Sequence, residues 1–413
     1  MHNAQQCVTE APQLDTVLAC QPVFNRNQEV AAFDLKLRHN RAGAPVTLEN
    51  IQAAMPMIVE SYTRIFQHGQ LMSMPSFLKI PQQMLLDSRL PELPRKHLIL
   101  ELVPNAALTP ELTHNLDALA GDGHRLALHG YSPSRRDLDS LLGKVHIARL
   151  QLGSLPSQQL GPTVDILRAH GVDILVDGVD SQQQFRRCLE LGATYFQGTF
   201  LSEASPVAGK RIGGNKLLLL ELLSKLQDPD ATAASLEALA IRDANLTYRI
   251  LRIVNSAGQG AHREVDTLSQ AITLLGTDEI RRWVNLFLVE AEPGKPEELT
   301  RNMLIRARMC EILAELDSQP FPVNHFIVGL LSQLDALMDI GMDELVQQLP
   351  LRVEAKAALL RREGIHGEIL SEVELYERGQ FDRLSGRLSL SYYEVAYRHA
   401  CAWARQAQFD LCA

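Results

Sequence analysis

Eight short apolar runs, spread over residues 1–202, constrain the fold of this chain more than any other feature. They read CQPVF, VAAFDLKLR, SFLKI, HLILELV, RLALHG, HIARLQL, DILVDGV and YFQGTFL. Runs of this length are strand-like. Most of the later ones are separated by amphipathic stretches such as PELTHNLDALAGDGH and PTVDILRAHG. Strands alternating with helices point to a parallel sheet with helical crossovers, and eight of them suggest a closed (β/α) barrel. The first two runs are joined only by NRNQE. That link is rich in turn formers and too short for a parallel crossover. The first two strands are therefore expected to form a hairpin, which leaves one barrel strand antiparallel.

The pattern then changes. SEASPVAGKRIGGN is rich in Gly, Ser, Pro and Ala and reads as a linker. After it apolar residues recur at three and four positions, the spacing of amphipathic helices. Asp243 is placed to cap the helix ANLTYRILRIVNS, and Thr277, followed by Asp278 and Glu279, opens another. The leucine-rich KLLLLELLSKL is broken by charges and is expected to pack against the barrel or the helical bundle rather than anchor in lipid. The expected organisation is a barrel domain over 1–204, a linker over 205–213 and an all-helical domain over 214–413.

Bulk properties narrow the function. The chain has 413 residues, 46% hydrophobic and 22% charged, as in ordinary globular proteins. A net charge of −9 disfavours a broad phosphate-binding face, and two Trp leave little for base stacking, so nucleic acid is not an expected partner. The six cysteines show no C-x-x-C spacing and read as free thiols in a reducing cytosol. The N-terminus lacks the pattern of a signal peptide, and no apolar run approaches the roughly 18 residues that span a bilayer. A cytoplasmic protein without membrane contact is expected.

Function on such barrels sits at the C-terminal strand ends. Polar residues there are Asp34, Arg38, Lys79, Glu101, His129, Arg149, Gln151, Asp177, Asp180 and Gln197. Strand ends that meet water carry polar residues in any case, so these positions alone do not define a site. Order and wording add specificity. CQPVFNRNQEVAAFDLKLR, LELVP and DGVDSQQQFRRCLELGATYFQGTFLS resemble successive elements of the EAL domain, the bacterial barrel that hydrolyses cyclic di-GMP. The resemblance covers nearly all of residues 16–204, although the helical segment after the signature motif looks shortened. It implies a ligand-binding role for Gln21, a signature Glu-Ala-Leu-Leu-Arg rewritten as Asp34-Leu35-Lys36-Leu37-Arg38, and a metal-binding role for Glu101.

The departures from that family are the informative part. Its chemistry resembles two-metal phosphodiester hydrolysis, which needs several carboxylates converging on a small volume. Its Asp-Asp pair reads here His129-Gly130, and imidazole is a poor partner for Mg²⁺. Its metal-binding asparagine reads Lys79, a cation worth about 4 kcal/mol of repulsion at 4 Å from another near a protein surface. Its lysine reads Arg149, which cannot give up a proton, and the aspartate two residues on reads Gln151. The signature glutamate is shortened to Asp34, and two late glutamates to Asp177 and Asp180. Gln21, Arg38, Glu101, Gln197 and Gly198 match the family. They are open to two readings: residual nucleotide binding, with Arg38 meeting a phosphate, or a structural role, with Arg38 pairing Glu101 or Asp34 and Gln197 capping the mouth.

The second half resembles the HDOD domain, a helical relative of HD phosphohydrolases without their metal ligands. The matching stretches are LEALAIRDANLTYRILRIVNSA, which ends in Val254-Asn255-Ser256, and TLSQAITLLGTDEIRRWV, with Gly276 at a turn and Trp283 beyond it. Where HD enzymes carry His-Asp this chain carries Ser332-Gln333, which cannot hold a metal. His325 reads as a core or boundary histidine, and the arginines of RRW and IRARMC as a solvated helical face or a basic patch. The order of the two domains resembles the bacterial YuxH-like EAL–HDOD proteins. That resemblance, with the lost ligands, implies a catalytically inactive signalling or scaffold protein of cyclic-di-GMP-linked regulation of motility or biofilm, acting through protein partners. No cofactor or metal is expected. The alternatives are a cyclic-di-GMP or other nucleotide receptor that does not cut, then an active phosphodiesterase. A homodimer is a candidate assembly.

Overall fold

The computed structural model of the protein describes residues 16–40, 75–86, 97–204, 206, 214–226, 230–257, 265–290 and 294–412. The segment expected to be shortened, after the signature motif, lies outside them, as does the expected linker apart from Pro206. The eight apolar runs form eight strands: β1 (Thr16–Phe24), β2 (Val30–His39), β3 (Ser76–Pro81), β4 (Leu98–Val103), β5 (Arg125–Leu128), β6 (Ile147–Gln151), β7 (Asp173–Asp177) and β8 (Tyr195–Gln197). They close into a barrel in chain order. β1 is antiparallel to β2 and β8, and every other neighbouring pair is parallel. The hairpin arises from NRNQE as expected. Asn25 N donates to Glu29 O at 2.8 Å, the Asn25 side-chain oxygen accepts from the Asn27 and Glu29 amides, and Gln28 takes a left-handed φ of 65°.

Helices α1 (Gln82–Leu86), α2 (Pro110–Gly121), α3 (Leu160–Ala169) and α4 (Gln182–Leu191) flank the barrel. Thr109 caps α2 ahead of Pro110, whose missing N–H costs nothing at a first helical position. Ser181 and Gln184 form a reciprocal capping box on α4. Between β5 and β6 the crossover is a tighter 3-10 turn over Arg136–Leu141.

Alternation along the strands builds the barrel interior in two layers. Val23, Ala32, Phe77, Ile99, Ala127, Ile147 and Leu175 form one buried apolar cluster. Two residues nearer the mouth on each strand stand Gln21, Asp34, Lys79, Glu101, His129, Arg149 and Asp177, while Gln197 follows Tyr195 in the same way. The apolar layer closes the floor, and the polar layer is thereby confined to the mouth.

The helical domain comprises α5 (Gly214–Leu226), α6 (Ala233–Ala240), α7 (Ala244–Ala257), α8 (Leu268–Leu275), α9 (Thr277–Leu288), α10 (Glu297–Leu316), α11 (Pro322–Leu331), α12 (Leu334–Met338), α13 (Met342–Gln348), α14 (Val353–Arg361), α15 (Gly364–Glu377) and α16 (Leu390–Cys412). Leu219, Leu220, Leu222, Leu223 and Leu226 of α5 are buried, and α5 packs on α9 of the bundle, as a charge-broken leucine run should. Asp243 accepts from Leu246 N at 3.1 Å, and α9 starts at Thr277 behind Gly276. Side chains of residues 253–257 lie outside the description, although α7 runs through them. Among the described residues no helix is long and apolar enough to cross a membrane.

The arginines of RRW and IRARMC do not form a solvated face. Arg306 is 5% exposed and pairs with Glu377 and Glu374, while Arg282 and Arg308 both meet the buried Glu311. Helical spacing places Glu311 three residues after Arg308, but it could not reveal that Glu311 also meets Arg282 or that Arg306 is held by α15. His325 is a core residue, as expected, with its Nε2 3.1 Å from His366 Nδ1.

The two domains share an interface along β1 and β2. Helix α16 packs on β1, where Cys20 Sγ lies 3.8 Å from Glu394 Oε1. Leu390 N donates to Asn40 O at 2.7 Å. Arg38 lies over the Phe381 ring, 5.5 Å from its centroid.

Candidate functional site

The polar layer is organised by one side chain. Arg149 rises from β6 and is 1% exposed. Its Nε lies 2.7 Å from Glu101 Oε1. Its Nη1 lies 3.2 Å from Asp34 Oδ2 and 3.3 Å from Asp177 Oδ2, and donates to Gln197 Oε1 at 2.6 Å. The guanidinium also lies 5.5 Å over Phe77, a cation–π contact from the apolar layer below. One planar cation thus gathers carboxylates from β2, β4 and β7. Among the described residues the sequence-predicted Asp34, Glu101, Arg149, Asp177 and Gln197 are brought together.

Electrostatics follow from this packing. Burial alone would raise Asp34, but Arg149, then Lys79 and Lys36, hold its carboxyl below the usual range. Glu101 is likewise buried, yet Arg149 and a hydrogen bond from His129 hold it down. His129 Nδ1 lies 2.7 Å from Glu101 Oε1. Burial opposes the charge on Arg149 as well, but Asp34, Glu101 and Asp177 raise its pKa still further. The centre is a compensated ion cluster.

The remaining candidates take other places. Lys79 of β3 stands in register with Glu101 of β4 and adds positive potential to Asp34 and Glu101. Arg38 pairs with neither Glu101 nor Asp34; Arg149 already holds both, and Arg38 turns outward to Phe381 and the Leu37 carbonyl. Asp180 accepts from the Thr199 amide at 3.1 Å and its hydroxyl at 3.0 Å, which braces the loop after β8. Gln151 is exposed and accepts from Ser154 Oγ at 3.3 Å, outside the cluster. Gly130 follows His129 at the end of β5. Ser332 donates to Gly329 O at 2.7 Å and accepts from Arg306 at 3.0 Å, and Gln333 donates to Ser202 of the barrel.

Sequence reasoning missed two contributors. Lys36 donates to Gln21 and lies 3.9 Å from Asp34 Oδ2. Its place two residues beyond Asp34 on the same strand face was the available signal. The second is the turn after α15. Gln21 Nε2 donates to Glu377 O at 2.8 Å, and Glu377, Arg378 and Gln380 line a mouth cavity of about 340 Å³ with Lys36, Asp177, Asp180 and Gln197. Nothing in the sequence announces that contact.

An EAL-type site would hold paired divalent cations, and the residues here do not fit them. Hard cations need several convergent anionic oxygens. The three carboxylates of this cluster are already turned onto a guanidinium that cannot deprotonate. Among the described residues no group of three or more His, Cys, Asp or Glu is arranged to hold a metal.

A closed eight-stranded barrel with one antiparallel strand and an ion cluster at its mouth, followed by an all-helical region, defines the class: a (β/α) barrel joined to a helical domain that matches the HDOD family. Residues 217–372 match the HDOD domain family. The chain is similar to the uncharacterised protein YuxH of Bacillus subtilis (strain 168), 25% identical over 397 residues, which are 94% of this chain and 97% of that one. It is also similar to the cyclic di-GMP phosphodiesterase CdgJ of Vibrio cholerae serotype O1, 27% identical over 89% of this chain and 86% of that one. Among solved structures, an EAL domain protein from Listeria monocytogenes matches 46% of this chain and 88% of its own at 16% identity and a TM-score of 0.38. The resemblance read from the sequence, to YuxH-like EAL–HDOD proteins, holds.

Proposed function

We propose that this protein is a non-catalytic signalling or scaffold component of bacterial cyclic-di-GMP-linked regulation, such as control of motility or biofilm. The relative named as a cyclic di-GMP phosphodiesterase supports the signalling context. The observation that carries the inactive reading is Arg149, whose guanidinium lies within 3.3 Å of carboxylates from three strands. A hydrolytic pair of cations would have to displace that buried charge. The reading takes residues 1–204 as the degenerate barrel domain, 205–213 as linker and 214–413 as the HDOD domain, in a cytoplasmic protein that acts through protein partners or as a homodimer. The deciding experiment is an assay of the purified protein with cyclic di-GMP and Mg²⁺ or Mn²⁺. No turnover is expected; turnover abolished by Glu101→Ala would establish a phosphodiesterase instead.

The mouth cavity favours a second reading, a receptor that binds cyclic di-GMP or another nucleotide without cutting it. Cavities at domain interfaces are common ligand sites, and this one offers Lys36 and Arg378 beside Gln21 and Gln197. Asp34, Arg38, Glu101, Asp177 and Asp180 complete the candidate set. Saturable heat on titration of cyclic di-GMP, weakened by Gln197→Ala, would support it. A native-state ligand must also raise the melting temperature.

A further inference from the structure

We propose that the turn Glu377–Gln380 is an autoinhibitory cap on the barrel mouth, latched by Gln21 and Gly379 and tied to the helical core through Arg306. As a ligand gate, the cap rests on the receptor reading; as a latch between domains, it stands on its own contacts. Gln21 has both ends of its amide engaged. Its Nε2 donates to the Glu377 carbonyl at 2.8 Å, and its Oε1 accepts from Lys36. The Gln21 amide nitrogen, one of the mouth groups that could meet a ligand, is therefore occupied by the cap.

The approach is possible only because residue 379 is glycine. Gly379 has φ +70°, and a Cβ there would lie 2.5 to 2.7 Å from the Gln21 amide atoms. Any side chain must push Gln21 out of its two hydrogen bonds or lift the turn. The next residue but one, Phe381, lies under Arg38 of β2, a second hold on the same edge of the barrel.

The inner side of the cap is fixed by charge. Glu377 receives Arg306 at Nε, 3.0 Å from Oε1, and at Nη2. Arg306 also donates to Ser332 Oγ at 3.0 Å, and the neighbouring Gln333 reaches Ser202 of the barrel. A shift of α10 against α11 would move Arg306, hence Glu377, hence the carbonyl that occupies Gln21. Ser332 and Gln333, which the sequence resemblance sets at the His-Asp position of HD enzymes, thus lie on the route from the helical core to the mouth of the barrel.

The test is hydrogen exchange by mass spectrometry on the full chain and on Gly379→Ala and Gln21→Ala, each with a calorimetric titration of cyclic di-GMP. Expected is exchange faster by about tenfold in peptides covering β1 and residues 377–381, with the rest of both domains unchanged. Gln21→Ala keeps the glycine and inserts nothing, so it remains informative if Gly379→Ala folds poorly. Wild-type exchange in both variants, or a uniform rise across both domains, overturns the cap. Faster local exchange in both variants with tighter nucleotide binding by Gly379→Ala, which keeps Gln21 as a ligand contact, supports both cap and gate. Faster local exchange with no binding in any variant supports the latch and removes the receptor reading.

Discussion

Arg149 Nε lies 2.7 Å from Glu101 Oε1, and both side chains are almost wholly buried. Each buried charge is compensated within the cluster, Arg149 also by Asp34 and Asp177 and Glu101 also by His129. Breaking a buried pair by removing one partner costs roughly 3–5 kcal/mol, because an uncompensated charge remains. Arg149→Met should therefore lose about that much stability near neutral pH. In the wild type, Asp34 and Glu101 have folded pKa values below their unfolded values of 3.8 and 4.5. Their contribution is present above those values and is lost as pH falls through the folded ones. In the variant the same carboxyls, buried without their cation, take up protons more readily. Urea unfolding at about pH 7 and about pH 5 should show the gap between the two proteins narrowing on acidification. A gap that does not change with pH would contradict the ion-cluster account.

Gly198 is the tightest backbone position at the mouth. Its φ is +149°, and a Cβ would lie 2.0 Å from the Val179 carbonyl oxygen. That oxygen belongs to the loop that carries Asp180, and it accepts from Phe200 N at 3.2 Å. Gly198→Ala must separate the two loops and release Thr199 from Asp180. A loss of roughly 3 kcal/mol or more is expected, the range of strained backbone sites combined with lost hydrogen bonds. Thermal melting checks the magnitude; a variant within about 0.5 kcal/mol of wild type would mean that the loops yield freely.

The barrel was legible because strand formation leaves a period-two imprint. Val23, Phe77, Ile99, Ile147 and Leu175 stand in short apolar runs, and the polar mouth residues follow at the same parity. The hairpin was legible because NRNQE is too short for anything else. The list of candidate residues could also be read, but not their pairing. Arg38 and Arg149 are both arginines near strand ends. Strand register and barrel shear aim only the second at Asp34 and Glu101. The same limit applies to Arg306, whose partners Glu374 and Glu377 lie about 70 positions along the chain. Periodicity assigns a side chain to a face and says nothing of which distant element covers that face.

The histidine pair of the helical domain gives a pH prediction. His325 is buried on α11, and burial, followed by the neighbouring His366, pushes its pKa down from 6.5 to about 4. The folded state thus binds fewer protons than the unfolded state between those values. Its contribution to stability is full above pH 6.5 and falls as pH drops toward about 4. Relative to His325→Leu, the wild type should lose roughly 2–3 kcal/mol across that window. Parallel curves for the two proteins would show that the imidazole keeps its proton on folding.

Arg306 and Glu377 allow the wiring between domains to be measured as an energy. Both ends of the pair are largely covered, and Ser332 and Glu374 share the same guanidinium. Residues in one such network couple by about 0.5–3 kcal/mol in a double-mutant cycle. Arg306→Met, Glu377→Gln and the double variant should give a coupling in the upper half of that range. Glu377→Gln keeps the backbone carbonyl that meets Gln21, so it tests the ion pair without removing the interdomain hydrogen bond. Additive losses would mean that Glu377 is held by the turn geometry alone, and that motion of α10 has no route to the barrel mouth through this side chain.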